Sequence, residues 1–169
     1  MAGFNECTRV QVAAALHLCR LGYTYFAEYG EGTPVGRLKK HNNVLIDEFF
    51  KALVRLNPEQ KLHNLEIFVK FVLSKLSSDD LGREFYQVLS SNSGIKLIDF
   101  ENPENNSWLV TTELPCENQE TGDNFRPDIT CFVNGLPLAF IEVKKPNNAE
   151  GVVAEQSRTN QKRLPNKSF

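Results

Sequence analysis

Zinc and disulfide chemistry have little to work with in this chain. Its three histidines, His17, His41 and His63, are scattered and show no ligand spacing, so they read as packed or solvated side chains rather than a zinc set. The four cysteines, Cys7, Cys19, Cys116 and Cys131, form no CxxC pair and read as reduced thiols of a cytoplasmic protein. No apolar run approaches the roughly 18 residues that a membrane span needs. The N-terminus has Glu6 before its first apolar stretch and no cationic segment, which is not the pattern of a secretory signal. The expectation is a cytoplasmic chain with no membrane partner. Residues 30–40 hold Gly30, Gly32, Pro34 and Gly36 but no GxxxxGK[ST] phosphate loop, so they are given loop chemistry only. Internal repeats and low-complexity segments are missing as well. The net charge is −2, which by itself calls for no nucleic acid.

What remains is one domain's worth of chain. The length is 169 residues and 41% of them are hydrophobic, enough to build a core. Val10, Ala13, Ala14, His17, Leu18 and Leu21 recur at helical spacing, and Gly22 is a plausible stop; a helix is expected over residues 5–21. Asn5 or Thr8 would cap it. Residues 23–29 are aromatic and suit a short strand. Residues 43–56 carry one apolar stripe, from Val44 to Leu56, with Asp47, Lys51 and Arg55 opposite. Asn57-Pro58 ends that helix and starts another running to about Leu76. Ser78 or Asp79 would cap a shorter helix through Leu89. These stripes read as core. After Gly94 the period changes. Residues 95–100 and 108–114 are candidate strands, and residues 117–124 form a polar surface loop. A last helix is expected over residues 149–163, with Pro165 as its stop. The order predicts an α/β or α+β domain, with a mixed central sheet flanked by helices. It would comprise a helical portion over about residues 1–93 and a sheet-bearing core over about 94–165.

The most informative stretch is residues 126–146, RPDITCFVNGLPLAFIEVKKP. Two apolar runs flank Asn134-Gly135, the strongest short-range hairpin signal. Both faces of both strands are largely apolar, so the hairpin is expected inside a sheet rather than at its edge. Its open end nevertheless carries Asp128, Glu142 and Lys144. Unpaired buried charge costs several kcal/mol or more, so these three need a reason. One is ordinary ion pairing of Lys144 with either acid. The other is a metal ion held by Asp128 and Glu142.

The second reason makes a demand on geometry. A two-residue Asn-Gly loop in a regular ladder pairs Val133 with Leu136, sets Asp128 opposite Ile141 and turns Glu142 to the other face. A three-residue loop, residues 133–135 with Gly135 left-handed, pairs Phe132 with Leu136 instead. Asp128, Glu142 and Lys144 then share a face, and the acids are diagonal neighbours about 7 Å apart. A bulge in or near the turn is therefore expected. Asp and Glu oxygens suit Mg²⁺, with Mn²⁺ as an alternative. Beside them Lys144 could orient or deprotonate a water, or neutralise phosphate charge. The pattern P-D, a gap, then E-V-K reads as metal-dependent phosphodiester hydrolysis.

The charge distribution points the same way. Residues 1–143 hold 13 Lys and Arg against 19 Asp and Glu. Residues 144–169 hold six, namely Lys144, Lys145, Arg158, Lys162, Arg163 and Lys167, against Glu150 and Glu155. This basic end is either a solvated face or a phosphate-contact strip beside the site. On the second reading Lys145, Arg158, Lys162 and Arg163 are the DNA-contact candidates.

Arg126-Pro127-Asp128-Ile129, Asn134-Gly135-Leu136-Pro137-Leu138 and Ile141-Glu142-Val143-Lys144-Lys145-Pro146 resemble the N-terminal nuclease segment of the restriction (R) subunit of type I restriction–modification enzymes. That segment belongs to the PD-(D/E)xK nuclease superfamily. The resemblance covers residues 95–163 and extends, more loosely, to the first helix with Leu21-Gly22-Tyr23. It implies Asp128, Glu142 and Lys144 as catalytic residues, Mg²⁺ as cofactor and double-stranded DNA as substrate. The methyltransferase and specificity subunits are the implied partners. It also implies an acidic residue from the first helix, for which Glu6 stands nearest; Glu6 equally suits the first turn of that helix as a dipole partner. A Gln on the helix after the ExK motif corresponds to Gln156, although the Tyr that accompanies it in the family is missing here. ATP-dependent translocase domains belong to the complete subunit, and any ATP requirement with them. Two other readings stay open: a docking domain of the same fold without catalysis, and another nuclease of the superfamily such as a repair nuclease or junction resolvase.

Overall fold

The computed structural model describes residues 10–26, 43–78, 80, 82–91, 94–117, 124–144 and 149–158. In chain order these form α1 (Val12–Arg20), β1 (Thr24–Tyr25), α2 (Ile46–Leu56), α3 (Leu62–Leu76), α4 (Arg83–Ser90), β2 (Trp108–Thr112), β3 (Cys116–Glu117), β4 (Asn124–Phe125), β5 (Ile129–Val133), β6 (Leu136–Ile141) and α5 (Ala149–Arg158). The main sheet has the order β1-β2-β5-β6. β1 runs parallel to β2, and the other neighbours are antiparallel. This is the mixed sheet with flanking helices that the element order predicts. Among the described residues no helix is long and apolar enough to cross a membrane.

α1 lies on one face of the sheet. Val10, Ala14 and Leu18 pack with Tyr23 against Val110, Ile129, Cys131, Ile141 and Val143. Only part of the expected stripe is used: Ala13, His17 and Leu21 are exposed. Gly22 does stop the helix, in a left-handed conformation (φ 105°), the geometry that glycine adopts without steric cost. The opposite face of the sheet carries Leu109, Phe132 and Phe140, which pack with Phe26, Leu45, Leu114 and Cys116. α2, α3 and α4 form a helical layer around Phe49, Leu53, Leu65, Val72 and Phe85, and Leu136 at the start of β6 reaches into it.

Several boundaries differ from expectation. After Asn57 the chain makes a turn, and α3 begins at Leu62 rather than Pro58. The first turn of α4 is closed by Asp80, whose carboxylate accepts from Gly82 N at 3.0 Å and Glu84 N at 2.6 Å; of the expected caps, Asp79 lies outside the described residues. The expected loop over 117–124 has paired ends, with Cys116 opposite Phe125 and Glu117 opposite Asn124. The second expected strand ends at Thr112, because Glu113 takes a left-handed backbone (φ 52°).

Residues 95–100 are not a strand. Their backbone groups bond to side chains instead of a ladder. Asn57 Oδ1 accepts from Lys96 N at 2.7 Å while its Nδ2 donates to Lys96 O at 3.0 Å. Asn134 Nδ2 donates to Leu97 O at 2.9 Å. Asn106 accepts from Asp99 N and donates to Asp99 O. Three buried asparagines thus take the place of a neighbouring strand, which satisfies the segment without extending the sheet.

The hairpin turn is buried. Asn134 (φ 52°) and Gly135 (φ 81°) are both left-handed, the signature of a two-residue type I′ turn. Val133 pairs with Leu136, so the expected three-residue loop is not formed. Nor is the hairpin wholly interior. β5 is buried along its length, but β6 is the terminal strand among the described residues and is half exposed. Pro137, which cannot donate to a ladder, is compatible with that terminal position.

Gly135 presses against the first turn of α2: a Cβ there would sit 2.6 Å from Leu45 O and 2.7 Å from Phe49 N. Gly135→Ala should therefore lower stability by about 2–4 kcal/mol, from left-handed strain plus overpacking, read as a fall in the denaturant midpoint. Hydrogen bonds from the Asn105 side chain and then the Asn102 backbone hold the Asp99 carboxyl below the ordinary aspartate range. A depressed folded-state value contributes stability that is present above the unfolded value, near 3.9, and lost as pH falls through the folded one. Asp99→Asn should be destabilising at neutral pH. Its difference from wild type should shrink below about pH 4 in denaturation series taken across pH.

Candidate active site

The site is built by register. Thr130 faces Phe140 and Cys131 faces Ala139, but Phe132 faces Pro137. Leu138 is left unpaired between them, a bulge in β6. Beyond it Ile129 faces Ile141, the last pair of the ladder; the same register carried one residue further would bring Asp128 across from Glu142. A bulge in or near the turn was expected; it forms at Leu138, in the strand just after the turn, and not in the turn itself. Ile141 and Val143 both pack on the α1 side. By strand alternation Glu142 and Lys144 project from the other side, while Asp128, just before β5, is met by Gln11 at the start of α1.

Asp128 is held from three directions. Its Oδ2 accepts from Val143 N at 2.8 Å. Its carbonyl accepts from Glu113 N at 3.1 Å and from Gln11 Nε2 at 2.9 Å. The same Nε2 stands 3.5 Å from Asp128 Oδ1 and 3.4 Å from Glu113 Oε1. Arg126 Nη1 lies 3.6 Å from Glu113 Oε2. Asp128, Glu142 and Lys144 are all half-buried, at the edge of the core rather than inside it.

The carboxylates of Asp128 and Glu142 would offer hard oxygen donors. Mg²⁺ is commonly held by one or two carboxylates with its remaining positions filled by water, so this donor set fits it. Among the described residues no three His, Cys, Asp or Glu side chains are gathered closely enough to enclose an ion; any further ligands would be water or substrate oxygens. Thiol chemistry has no support at Cys131, beneath α1. Burial pushes the Cys131 thiol up, and it also raises the Tyr23 hydroxyl, with Cys131 adding to that rise. Neither group is an ionised nucleophile at neutral pH.

The other expected residues divide. Gln156 is exposed on α5, and Arg158 is exposed at its end. Glu6, Lys145, Lys162 and Arg163 lie outside the described residues, as do residues 5–9 and 159–163 of the expected helices. Two neighbours of Asp128 escaped sequence reasoning. Gln11 is only 3% exposed. Its spacing from Ala15 and Leu18 placed it on the buried side of α1, a polar residue on an apolar stripe. Glu113 was read simply as part of a strand.

A family model described as the type I restriction enzyme R protein N terminus matches residues 3–166. A Methanocaldococcus jannaschii chain named as a type I restriction enzyme endonuclease subunit (MjaIXP) is 31% identical over 170 residues, covering 87% of this chain and 16% of that protein. The type I restriction enzyme HindI endonuclease subunit of Haemophilus influenzae is 29% identical over 150 residues, covering 75% and 14%. A second M. jannaschii subunit so named (MjaVIIIP) is 36% identical over 100 residues, covering 59% and 9%. The chain thus spans less than a fifth of the length of these relatives. No solved structure matches it. Matched almost end to end by that family model, this chain belongs to the family of type I restriction enzyme R protein N-terminal regions.

Proposed function

We propose that this chain is a single metal-dependent endonuclease domain that hydrolyses phosphodiester bonds of double-stranded DNA within a type I restriction enzyme. The observation that supports the reading is the β6 bulge: continued one residue past Ile129 and Ile141, its register would bring Asp128 across from Glu142, with Lys144 two residues on. Asp128 and Glu142 would hold Mg²⁺, or Mn²⁺ in its place. When bound, the ion supplies Lewis-acid polarisation of a phosphoryl oxygen and a more acidic water. The Val143 amide fixes one Asp128 oxygen, so the carboxylate is oriented before substrate arrives. Lys144 orients the attacking water or offsets charge on the phosphoryl group. Sequence recognition and methylation would fall to the specificity and methyltransferase subunits, and ATP-driven translocation to the rest of the R subunit. Double-stranded DNA as substrate implies a cytoplasmic location.

A Mn²⁺ soak of the crystallised domain should show anomalous density between Asp128 and Glu142. Blank density at millimolar metal and neutral pH would favour a docking domain without catalysis. In the full subunit, Lys144→Ala should lower cleavage by about 100-fold or more while translocation continues; retained cleavage would make Lys144 structural. Replacing Lys162 and Arg163 together by Ala should reduce the salt slope of DNA binding by about two. An unchanged slope would make that segment a solvated face.

A further inference from the structure

We infer that Gln11 is a positioning residue for Asp128, a neutral donor reaching from α1 to the strand end where the metal would sit. This rests on the metal-site reading above. The side chain is 3% exposed, so its amide has exchanged water for protein partners. Its Nε2 lies 2.9 Å from Asp128 O, 3.5 Å from Asp128 Oδ1 and 3.4 Å from Glu113 Oε1. Val143 N holds the other oxygen, Oδ2, at 2.8 Å. Amide donors therefore approach the Asp128 carboxylate at both oxygens, one from the helix and one from the strand leading into Lys144.

The residue type matters. A lysine or arginine at position 11 would neutralise the negative charge that a divalent cation needs. A glutamate would add a third anion beside two. An uncharged amide restrains the carboxylate and leaves its charge in place. It also lies between two like charges, with Asp128 on one side and Glu113 on the other. The left-handed backbone of Glu113 (φ 52°) is uncommon for a residue other than glycine. It occurs at the one residue whose main-chain N–H and side-chain carboxylate both join this group, the N–H donating to Asp128 O.

The test is a calorimetric Mn²⁺ titration of the 169-residue chain, with no DNA and no turnover. Gln11→Met keeps the volume and removes the donor. Mn²⁺ affinity should fall about 10-fold or more, the usual cost of losing a hydrogen-bond partner of a metal ligand, at a temperature where circular dichroism shows the variant folded. Gln11→Ala, which adds no bulk, carries the same expectation. Wild-type affinity in either folded variant would reduce Gln11 to a tie between helix and sheet and overturn the inference. So would failure of both variants to fold. If the wild-type chain itself binds no Mn²⁺, the metal-site reading falls first and this inference with it.

Discussion

One side chain, Asn134, holds the hairpin turn in place, and the geometry of the site follows from it. Its amide donates to Leu97 O at 2.9 Å and to Asn106 Oδ1 at 2.8 Å. Its carbonyl oxygen accepts from Ser107 N at 2.8 Å and from Arg55 at 3.3 Å. That is the full capacity of an Asn side chain, spent inside the protein at 0% exposure. The four bonds reach α2, the irregular segment after α4 and the entry to β2. Next to it Gly135 O accepts from Leu45 N at 2.9 Å, joining the turn to the start of α2. A fully satisfied buried polar network specifies one arrangement, because any slip leaves several groups unpaired at once.

Fixing the turn fixes the other end of the hairpin. From Val133 and Leu136 outward each pair of residues is determined, and Asp128 lies where β5 begins. There it meets α1 through Gln11, the end of β2 through Glu113, and the strand leaving β6 through Val143. The helical layer holds one end of the hairpin and α1 holds the other. Charged groups are thereby kept half-buried at the margin of an apolar sheet, where they need not give up all their water.

Much of this was legible in the sequence where a local rule coincided with the tertiary outcome. Asn134-Gly135 announces the turn because few other pairs adopt two left-handed conformations in succession. The stripes of α2 and α3 follow from burying one face of a helix. The need for a bulge followed from requiring Asp128 and Glu142 on one face. Its position did not, since either an enlarged turn or an unpaired Leu138 meets that requirement. Residues 95–100 read as a strand because their apolar residues alternate, yet Asn57, Asn106 and Asn134, distant in sequence, take up their backbone groups. Gln11 was invisible for a related reason: a polar residue on an apolar stripe declares its burial but not its partner. Glu113 gave no signal that its backbone would turn left-handed.

The unpaired Leu138 also constrains how such a hairpin can vary in length. Strand faces alternate with a period of two, so each single residue gained or lost between Asp128 and Glu142 exchanges inside for outside at one of them. Length changes in this interval keep the phase in even numbers, or as an odd change matched by a bulge gained or lost or by a turn of different length. The interval therefore behaves as a counted phase rather than an elastic spacer. A homologous hairpin with one residue fewer between its acids would have to pair without a bulge or enlarge its turn.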